Sequence, residues 1–563
     1  MIEGFIPWPK DLSEEYVFNG YWRNIPLGQE LDNIAEIFPS RVALVLNEEK
    51  ITYSQLKETT DQLAVSFIER GIRSTDRVIV QLPNILEFVY CYFAFLKIGV
   101  IPVMCMPPFR KTEIEHIATK SMAKGYVIPD LHRKFNFLEL AQEISETVSS
   151  IEKVFVAGHD CYDGQFLIKD LLAKEYNREE IEATLKKCRP DPFEPAVFLL
   201  SGGTTGLPKI IPRTHNDYLY MANMAGLNLG VNKDTVYLAI APLVHNMTLA
   251  CPGLMGTLFR GGKVILTTVT DSENLCKVIE KEKITHIPLV PALILNLLNF
   301  DKRDDYDISS LQVIISGGSK LNPEVAKRVK PEVGSDLVQQ FGMAEGLLAQ
   351  TQIDDVDEIK FNTVGRPVSP ADQIKIVDDE GNEVQPGETG ELYCRGPYTI
   401  RGYYAAPEHN KNAFTKDGFY KSGDMFKLVP QSGCLIVEGR KKDLINRGGE
   451  KINCEEIENL VLSHPKVDNA ALVAMPDPVM GEKACIYVTL KQKEEFTLAE
   501  LNEFLLEKRI AKFKLPERLE VIEQFPLTTV GKISKKHLRR NIEDKVREES
   551  KEPNKGCEKS EVI

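Results

Sequence analysis

Ser201-Gly-Gly-Thr-Thr-Gly-Leu-Pro-Lys209 is the stretch that most constrains this chain. It follows Ala196-Val-Phe-Leu-Leu200, a short apolar run of the kind that forms a buried strand. Gly202, Gly203 and Gly206 let backbone N–H groups turn inward around an anion. Ser201, Thr204 and Thr205 add hydroxyls, and Lys209 adds a point charge suited to phosphate oxygens. The Walker pattern Gly-x-x-x-x-Gly-Lys-Ser/Thr is not met. In isolation such a loop is an ordinary connection, so its meaning rests on what else the chain carries.

At 563 residues the chain exceeds one core, and two or more domains are expected. A net charge of −13 argues against a general binder of nucleic acid or anionic membrane. No apolar run is long enough to span a bilayer, and Met1-Ile-Glu-Gly-Phe-Ile-Pro lacks the basic-then-apolar order of a secretory signal. The eleven cysteines include no Cys-x-x-Cys pair, which predicts reduced thiols in a cytoplasmic protein. The nine histidines offer no His-x-x-x-His pairing, so no zinc site is expected.

Taken in order, residues 1–50 read as a lead-in segment with a helix near 31–38. A helix then opens near Ile51-Thr-Tyr-Ser54, with Ser54 as N-cap. Strands are expected at 78–82, 100–103 and 154–157, with a helix at 88–96. Further strands are expected at 237–243, 263–266 and from 311 into Gly317 and Gly318. This alternation predicts an α/β fold with largely parallel sheets, whose ligand crevices lie at the strand ends. From about 373 short strands (374–377, 390–394, 435–438) suggest antiparallel pairing. Gly439-Arg-Lys-Lys-Asp443 reads as an interdomain linker, followed by a small α+β unit. Its helices are expected at 455–463 and 498–507, with strands at 470–474 and 484–490. The division is therefore a large domain over 1–441, a small one over 442–545, and a disordered charged tail over 546–563.

Five motifs occur in one order: the 201–209 loop, Gln340-Phe-Gly-Met-Ala-Glu345, Tyr420-Lys-Ser-Gly-Asp424, Gly439-Arg-Lys-Lys-Asp443 and Pro526-Leu-Thr-Thr-Val-Gly-Lys532. Together they resemble the adenylate-forming superfamily of acyl-CoA synthetases, nonribosomal-peptide adenylation domains and firefly-type luciferases. His245-Asn-Met-Thr-Leu-Ala-Cys-Pro-Gly253, Arg395-Gly-Pro-Tyr-Thr-Ile-Arg-Gly-Tyr403 and Asn446-Arg-Gly-Gly-Glu-Lys451 narrow the resemblance to stand-alone aryl acid–AMP ligases of siderophore pathways. Ala344, where most of the superfamily has threonine, agrees with that subset. The resemblance implies α/β subdomains and a short β-rich subdomain in the large domain, with a small mobile α+β domain behind it.

It also implies roles. The 201–209 loop would hold the leaving pyrophosphate of ATP, and Glu345 would hold Mg²⁺, a hard ion that prefers carboxylate and phosphate oxygen. Asp424 would accept hydrogen bonds from the ribose, helped by Arg440. Phe341 and Gly342 would pack at adenine, with Gly317 and Gly318 admitting the ring. Lys532 would bridge the attacking carboxylate and the α-phosphate, and Lys442 would be the hinge. Asn246 would bind a ring hydroxyl ortho to the carboxylate, and His245 would position the acid. Each residue alone has a plainer reading: a turn acid for Asp424, a core ring for Phe341, a solvated lysine for Lys532.

Cys251 stands where dihydroxybenzoate enzymes of this group usually carry serine and salicylate enzymes often carry cysteine. Met247 replaces the usual aromatic. Gln340 stands where an aliphatic residue is typical, and if it faces the pocket a heteroaromatic acid such as 3-hydroxypicolinate would suit it. The expected partners are an aryl acid and a phosphopantetheinylated aryl carrier protein on a separate chain or domain. The rivals are an aryl-CoA ligase using free coenzyme A, an oxidative luciferase-like enzyme and a non-catalytic adenylate-binding protein. The last would be expected to lack Lys532, Glu345 or the phosphate loop, all of which are present.

Overall fold

The computed structural model describes residues 2–201, 208–319, 321–447, 450–477, 480–508, 510, 512–528 and 532–551. Two large sheets carry the N-terminal part. The first orders its strands Ile210–Thr214, Pro195–Leu200, Ile101–Met104, Arg77–Val80, Gly125–Pro129, Lys153–Ala157 and Phe166–Leu167. All its pairings are parallel except the first, a hairpin that brackets the glycine-rich loop. The second sheet has nine strands, with a parallel centre (Val42–Leu46, Lys263–Leu266, Val236–Ala239, His286–Leu289, Val313–Ser316 and Asp336–Met343) and antiparallel edges.

Parallel strands need crossover helices on their faces, which explains the alternation along the chain. Leu86–Lys97 is one such helix and is buried on every side, as its nearly continuous apolar sequence requires. The lysine closing it can be buried because Asp32 accepts from its Nζ at 2.6 Å and Asp61 accepts from it as well.

The β-rich part is an antiparallel sheet of Gln373–Val377, Gly390–Arg395, Tyr420–Leu428 and Leu435–Arg440. The small domain pairs Glu450–Asn453, Leu444–Arg447, Gly481–Leu490 and Val467–Asp477, with Arg518–Val521 alongside Gly481–Leu490. Helices Cys454–Leu462, Leu498–Glu507 and Lys535–Lys551 cover it. Its buried residues form clusters of their own, separate from those of the large domain.

Two expectations need correction. The helix Tyr53–Glu69 is capped by Thr52, not Ser54: Thr52 Oγ1 accepts from Gln55 N–H, and Gln55 Oε1 accepts from Thr52 N–H. Thr-x-x-Gln is itself a capping box, and Ser54 already lies in the first turn. The expected tail over 546–563 begins too early, because the last helix runs to Lys551. Val546 packs on the apolar cluster beneath this helix, and Glu549 receives Arg518 at 2.9 Å. Residues 552–563 lie outside the described residues.

His215 ties the start of the chain to the middle of the large domain. It opens the helix His215–Asn228, is fully buried, and its Nδ1 accepts from Leu27 N–H at 3.2 Å. Burial pushes its pKa from 6.5 down to about 3. The unfolded chain takes up this proton near 6.5 while the native state refuses it, so the associated stability is present above 6.5. It is lost as pH falls toward 3, by up to about 1.4 kcal/mol per pH unit. His215→Gln keeps an acceptor for Leu27 and cannot charge. Its thermal midpoint should therefore fall less than the wild type's between about pH 7 and pH 5; parallel declines would exclude His215 as the source.

Candidate active site

The glycine-rich loop is closed at its base by two bonds. Ser201 N–H donates to Lys209 O at 2.9 Å, and Lys209 N–H donates to Ser201 Oγ at 3.0 Å. Gly202, Gly203, Thr204, Thr205 and Gly206 lie outside the described residues. The Lys209 ammonium stands 5.4 Å from the centre of the Tyr403 ring, within cation–π range. On the same residue, the hydroxyl donates to Glu345 Oε1 at 2.8 Å and lies 2.9 Å from the Tyr420 hydroxyl. Tyr403 thus joins the lysine of the loop to the carboxylate expected to hold the metal. Tyr403 closes the Arg395–Tyr403 motif, where nothing local assigns it a role. Its distance in sequence from both partners hid the contact.

Asp424 and Arg440 face each other across neighbouring antiparallel strands, with Arg440 Nε 2.6 Å from Asp424 Oδ1. Asp424 is buried and Arg440 is exposed. Phe341, half-buried beside Gly342, meets Phe426 edge-on with ring centres 4.8 Å apart.

Gly317 and Gly318 are small for reasons the sequence could not show. A Cβ on Gly317 would stand 2.7 Å from Met247 Sδ, so Met247 fills the space above it. Gly318 has φ +87°, and a Cβ there would lie 3.5 Å from Val290 and 3.9 Å from Lys532 Cε. The small domain therefore lays the stem of Lys532 along this glycine. Thr528 and Lys532 hold that loop through Thr528 N–H to Lys532 O at 2.7 Å and Lys532 N–H to Thr528 Oγ1 at 3.1 Å. Desolvation and the Arg440 charge lower the Lys532 pKa, while Asp424 opposes them.

His245 caps the short helix Asn246–Ala250, with Nδ1 accepting from Met247 N–H at 3.3 Å. His245 is exposed as a residue, yet desolvation by the protein groups packed around its imidazole and the Lys532 ammonium push its pKa down to about 4. His245 is thus neutral at ordinary pH. Behind it, Asn246 Oδ1 accepts from the Tyr218 hydroxyl at 2.8 Å, and Asn246 Nδ2 donates to Cys251 Sγ at 3.5 Å. Cys251 is buried, and burial pushes its thiol up to about 12. Gln340 is also buried, but its Oε1 accepts from Gln350 Nε2 at 2.6 Å, and Gln350 in turn accepts from Asn228 at 3.0 Å. The Gln340 carbonyl of the amide is therefore engaged inside the protein.

Groups from two domains thus converge on one crevice at strand ends, the arrangement expected of the adenylate-forming class. The chain belongs to the AMP-binding enzyme family: that family matches residues 31–404, and the AMP-binding enzyme C-terminal domain matches 456–532. It is 42% identical to the 2,3-dihydroxybenzoate-AMP ligase of Bacillus subtilis (strain 168), over 97% of this chain and 99% of that one. It is 43% identical to a salicylyl-CoA synthase / salicylate adenylyltransferase of a Streptomyces species, over 95% and 96% respectively. Among solved structures, apo MbtA of Mycobacterium smegmatis matches with a TM-score of 0.73 and 39% identity, over 95% of this chain and 98% of that one. Among the described residues no helix is long and apolar enough to cross a membrane.

The Tyr403 contact generates a test. Tyr403→Phe keeps the ring over Lys209 and removes the donor that orients Glu345. Loss of such a supporting bond should raise the Mg²⁺ concentration needed for half-maximal activity by about tenfold. Titrating the metal at saturating ATP checks it, and an unchanged requirement would exclude this role.

Proposed function

We propose that this enzyme activates an ortho-hydroxylated aromatic acid, salicylate or 2,3-dihydroxybenzoate, with ATP and passes the aryl group to the phosphopantetheine thiol of an aryl carrier protein in siderophore or related peptide synthesis. In the first step a carboxylate oxygen bonds to the α-phosphorus, and the bond to the bridging oxygen breaks to release pyrophosphate. In the second, the thiol sulfur bonds to the acyl carbon and AMP leaves. The observation that carries this reading is the meeting of Lys532 with Gly318, the Asp424–Arg440 pair and His245. That meeting supports a reading in which the Lys532 cation acts between the nucleotide and the acid, where the two reacting anions must be brought together.

Glu345 suits Mg²⁺. Among the described residues no group of three or more His, Cys, Asp or Glu is assembled for a metal, so a lone carboxylate would share the ion with ATP phosphates, as this ion prefers. The ion would supply charge neutralisation at the phosphates. Neutral His245 adds no further positive charge beside Lys532, and Phe341 offers its face to adenine.

The two half-reactions need different groups at one site, so we assign the hinge to Lys442, in the turn Lys441–Asp443. Neighbouring Lys441 holds that turn to the large domain through Glu391 at 2.8 Å and Asp379 at 3.3 Å. A cavity of about 350 Å³ beside this turn is lined by Glu391 and Lys427 on one side of the chain division and by Glu456 and Lys514 on the other. Lys532→Ala should reduce acid-dependent ATP–pyrophosphate exchange by at least about a hundredfold while transfer from supplied aryl-AMP survives. Lys442→Pro, which fixes φ, should do the reverse. Measuring both half-reactions in both variants checks the pair, and equal losses in either variant would refute its assignment.

Choice of acid rests on Cys251. Its neutral thiol is a poor partner for a 3-hydroxyl, and burying that hydroxyl unsatisfied costs about 1–3 kcal/mol. Exchange measured over a panel of aryl acids, with fatty and amino acids as controls, should favour salicylate over 2,3-dihydroxybenzoate by roughly five- to hundred-fold. Cys251→Ser should move the ratio of kcat/KM toward dihydroxybenzoate. A wild-type preference for dihydroxybenzoate that the serine variant leaves unmoved would remove Cys251 as the discriminator. The names of two relatives, salicylyl-CoA synthase and 2-hydroxy-7-methoxy-5-methyl-1-naphthoate–CoA ligase, make free coenzyme A the alternative acceptor, and the transfer assay run with both thiols decides it.

A further inference from the structure

Behind the acid pocket lies a buried polar unit whose residues carry no role in the reaction so far. Arg213 and Asp217 form an ion pair at 2.7 Å with both side chains fully buried. The Arg213 guanidinium lies 4.6 Å from the centre of the Tyr218 ring and donates to Ala344 O at 3.1 Å. Asp217 also accepts from Thr214 Oγ1 at 2.8 Å and from Thr214 N–H at 2.5 Å. The ring of Tyr218 is therefore packed on a fixed cation, and its hydroxyl reaches Asn246.

That contact decides which way the Asn246 carboxamide points. Tyr218 is fully buried, and burial raises its pKa well above the ordinary value, so the phenol keeps its proton. Among the described residues Asn246 is the hydrogen-bond partner of that hydroxyl. If the amide were turned over, its NH₂ would face the phenol and the hydroxyl proton would be buried without an acceptor, the costly outcome for a buried donor. Oδ1 therefore faces Tyr218, and Nδ2 takes the opposite side. There one N–H goes to Cys251 Sγ, and the other is left for a bound acid.

We infer that Tyr218 is a positioning residue that locks Asn246 as a hydrogen-bond donor toward the substrate, so that the pocket selects an aromatic acid bearing an acceptor ortho to its carboxylate over one bearing a donor. This rests on the assignment of Asn246 to the acid pocket. The chemistry separates close analogues. In salicylate the ortho hydroxyl gives its proton to its own carboxylate and presents an oxygen lone pair outward. In anthranilate one amino hydrogen does the same, and the second points outward, toward a group that is itself a donor. Benzoate offers neither.

The test measures kcat/KM for salicylate, anthranilate and benzoate by ATP–pyrophosphate exchange in the wild type, Tyr218→Phe, Asn246→Ala and the double variant. Tyr218→Phe frees the amide to turn, so the salicylate-to-anthranilate ratio should fall by at least about tenfold. Benzoate should change less than salicylate, and the double variant should show the ratio of Asn246→Ala alone, because Tyr218 acts through that residue. A Tyr218→Phe ratio equal to the wild type's, or a further fall in the double variant, would overturn the proposal. If Asn246→Ala itself leaves the wild-type ratio unmoved, the acid-pocket assignment fails instead. Should Tyr218→Phe not fold, Tyr218→Trp in the same assay, which keeps a buried ring and shifts its donor, takes its place with the same two outcomes.

Discussion

Bringing two anions together requires positive charge where they meet, and the ammonium that enters this cleft belongs to a different domain from the groups around it. The Lys532 ammonium reaches the cleft beside Gly318, within the fields of Arg440, Asp424 and His245. Arg440 is already paired with Asp424 at 2.6 Å, which tempers its repulsion of the incoming lysine. The trio retains one net positive charge, in surroundings drier than bulk water, where a charge acts more strongly on a ligand. Holding His245 neutral keeps a further cation from crowding the same spot. Because Lys532 arrives on a separate body with its own core, the arrangement can be made and undone without unfolding either part.

The large domain meets this demand with support beneath the reactive groups. Tyr403 places one ring under Lys209 and one hydroxyl on Glu345, so the lysine of the glycine-rich loop and the Glu345 carboxylate share a strut. Arg213 does similar work one layer deeper, fixing the carbonyl of Ala344 next to Glu345 and the ring of Tyr218 behind Asn246. A fully buried ion pair is weak evidence for stability, since desolvation offsets most of its attraction. Its value here is geometric, because the pair holds Thr214, the Ala344 carbonyl and the Tyr218 ring against one another.

Much of the architecture was legible from local pattern. Lys263–Leu266 and Leu498–Glu507 fall where periodicity placed them, and the change from parallel to antiparallel texture near residue 373 marks a real boundary between sheets. The misses are also local in origin. Ser54 looked like a cap because serine is a common one, but the reciprocal Thr52–Gln55 pair outcompetes it. The last helix outruns its expected end because Val546 and Glu549 find partners on the small domain, which composition cannot reveal. Gln340 shows the limit most clearly: its polarity in a core strand was visible, while its partner Gln350 depended on the hairpin that follows.

By itself the sequence determined the motifs: a glycine-rich loop ending in Lys209, Glu345, Asp424, Lys532 and the stretch around Asn246, in an order that resembles that of adenylate-forming enzymes. These follow from residue type and short-range spacing, which a strand or loop expresses wherever it is placed. Only the tertiary structure decided which groups act on one another. Tyr403 and Glu345 are 58 residues apart, Tyr218 and Asn246 are 28 apart, and Arg213 and the Ala344 carbonyl are 131 apart. Each pair meets because separate strands and helices pack around a common crevice. The direction of a buried hydrogen bond is set there by which partner remains unsatisfied otherwise, and no local pattern of residues encodes it.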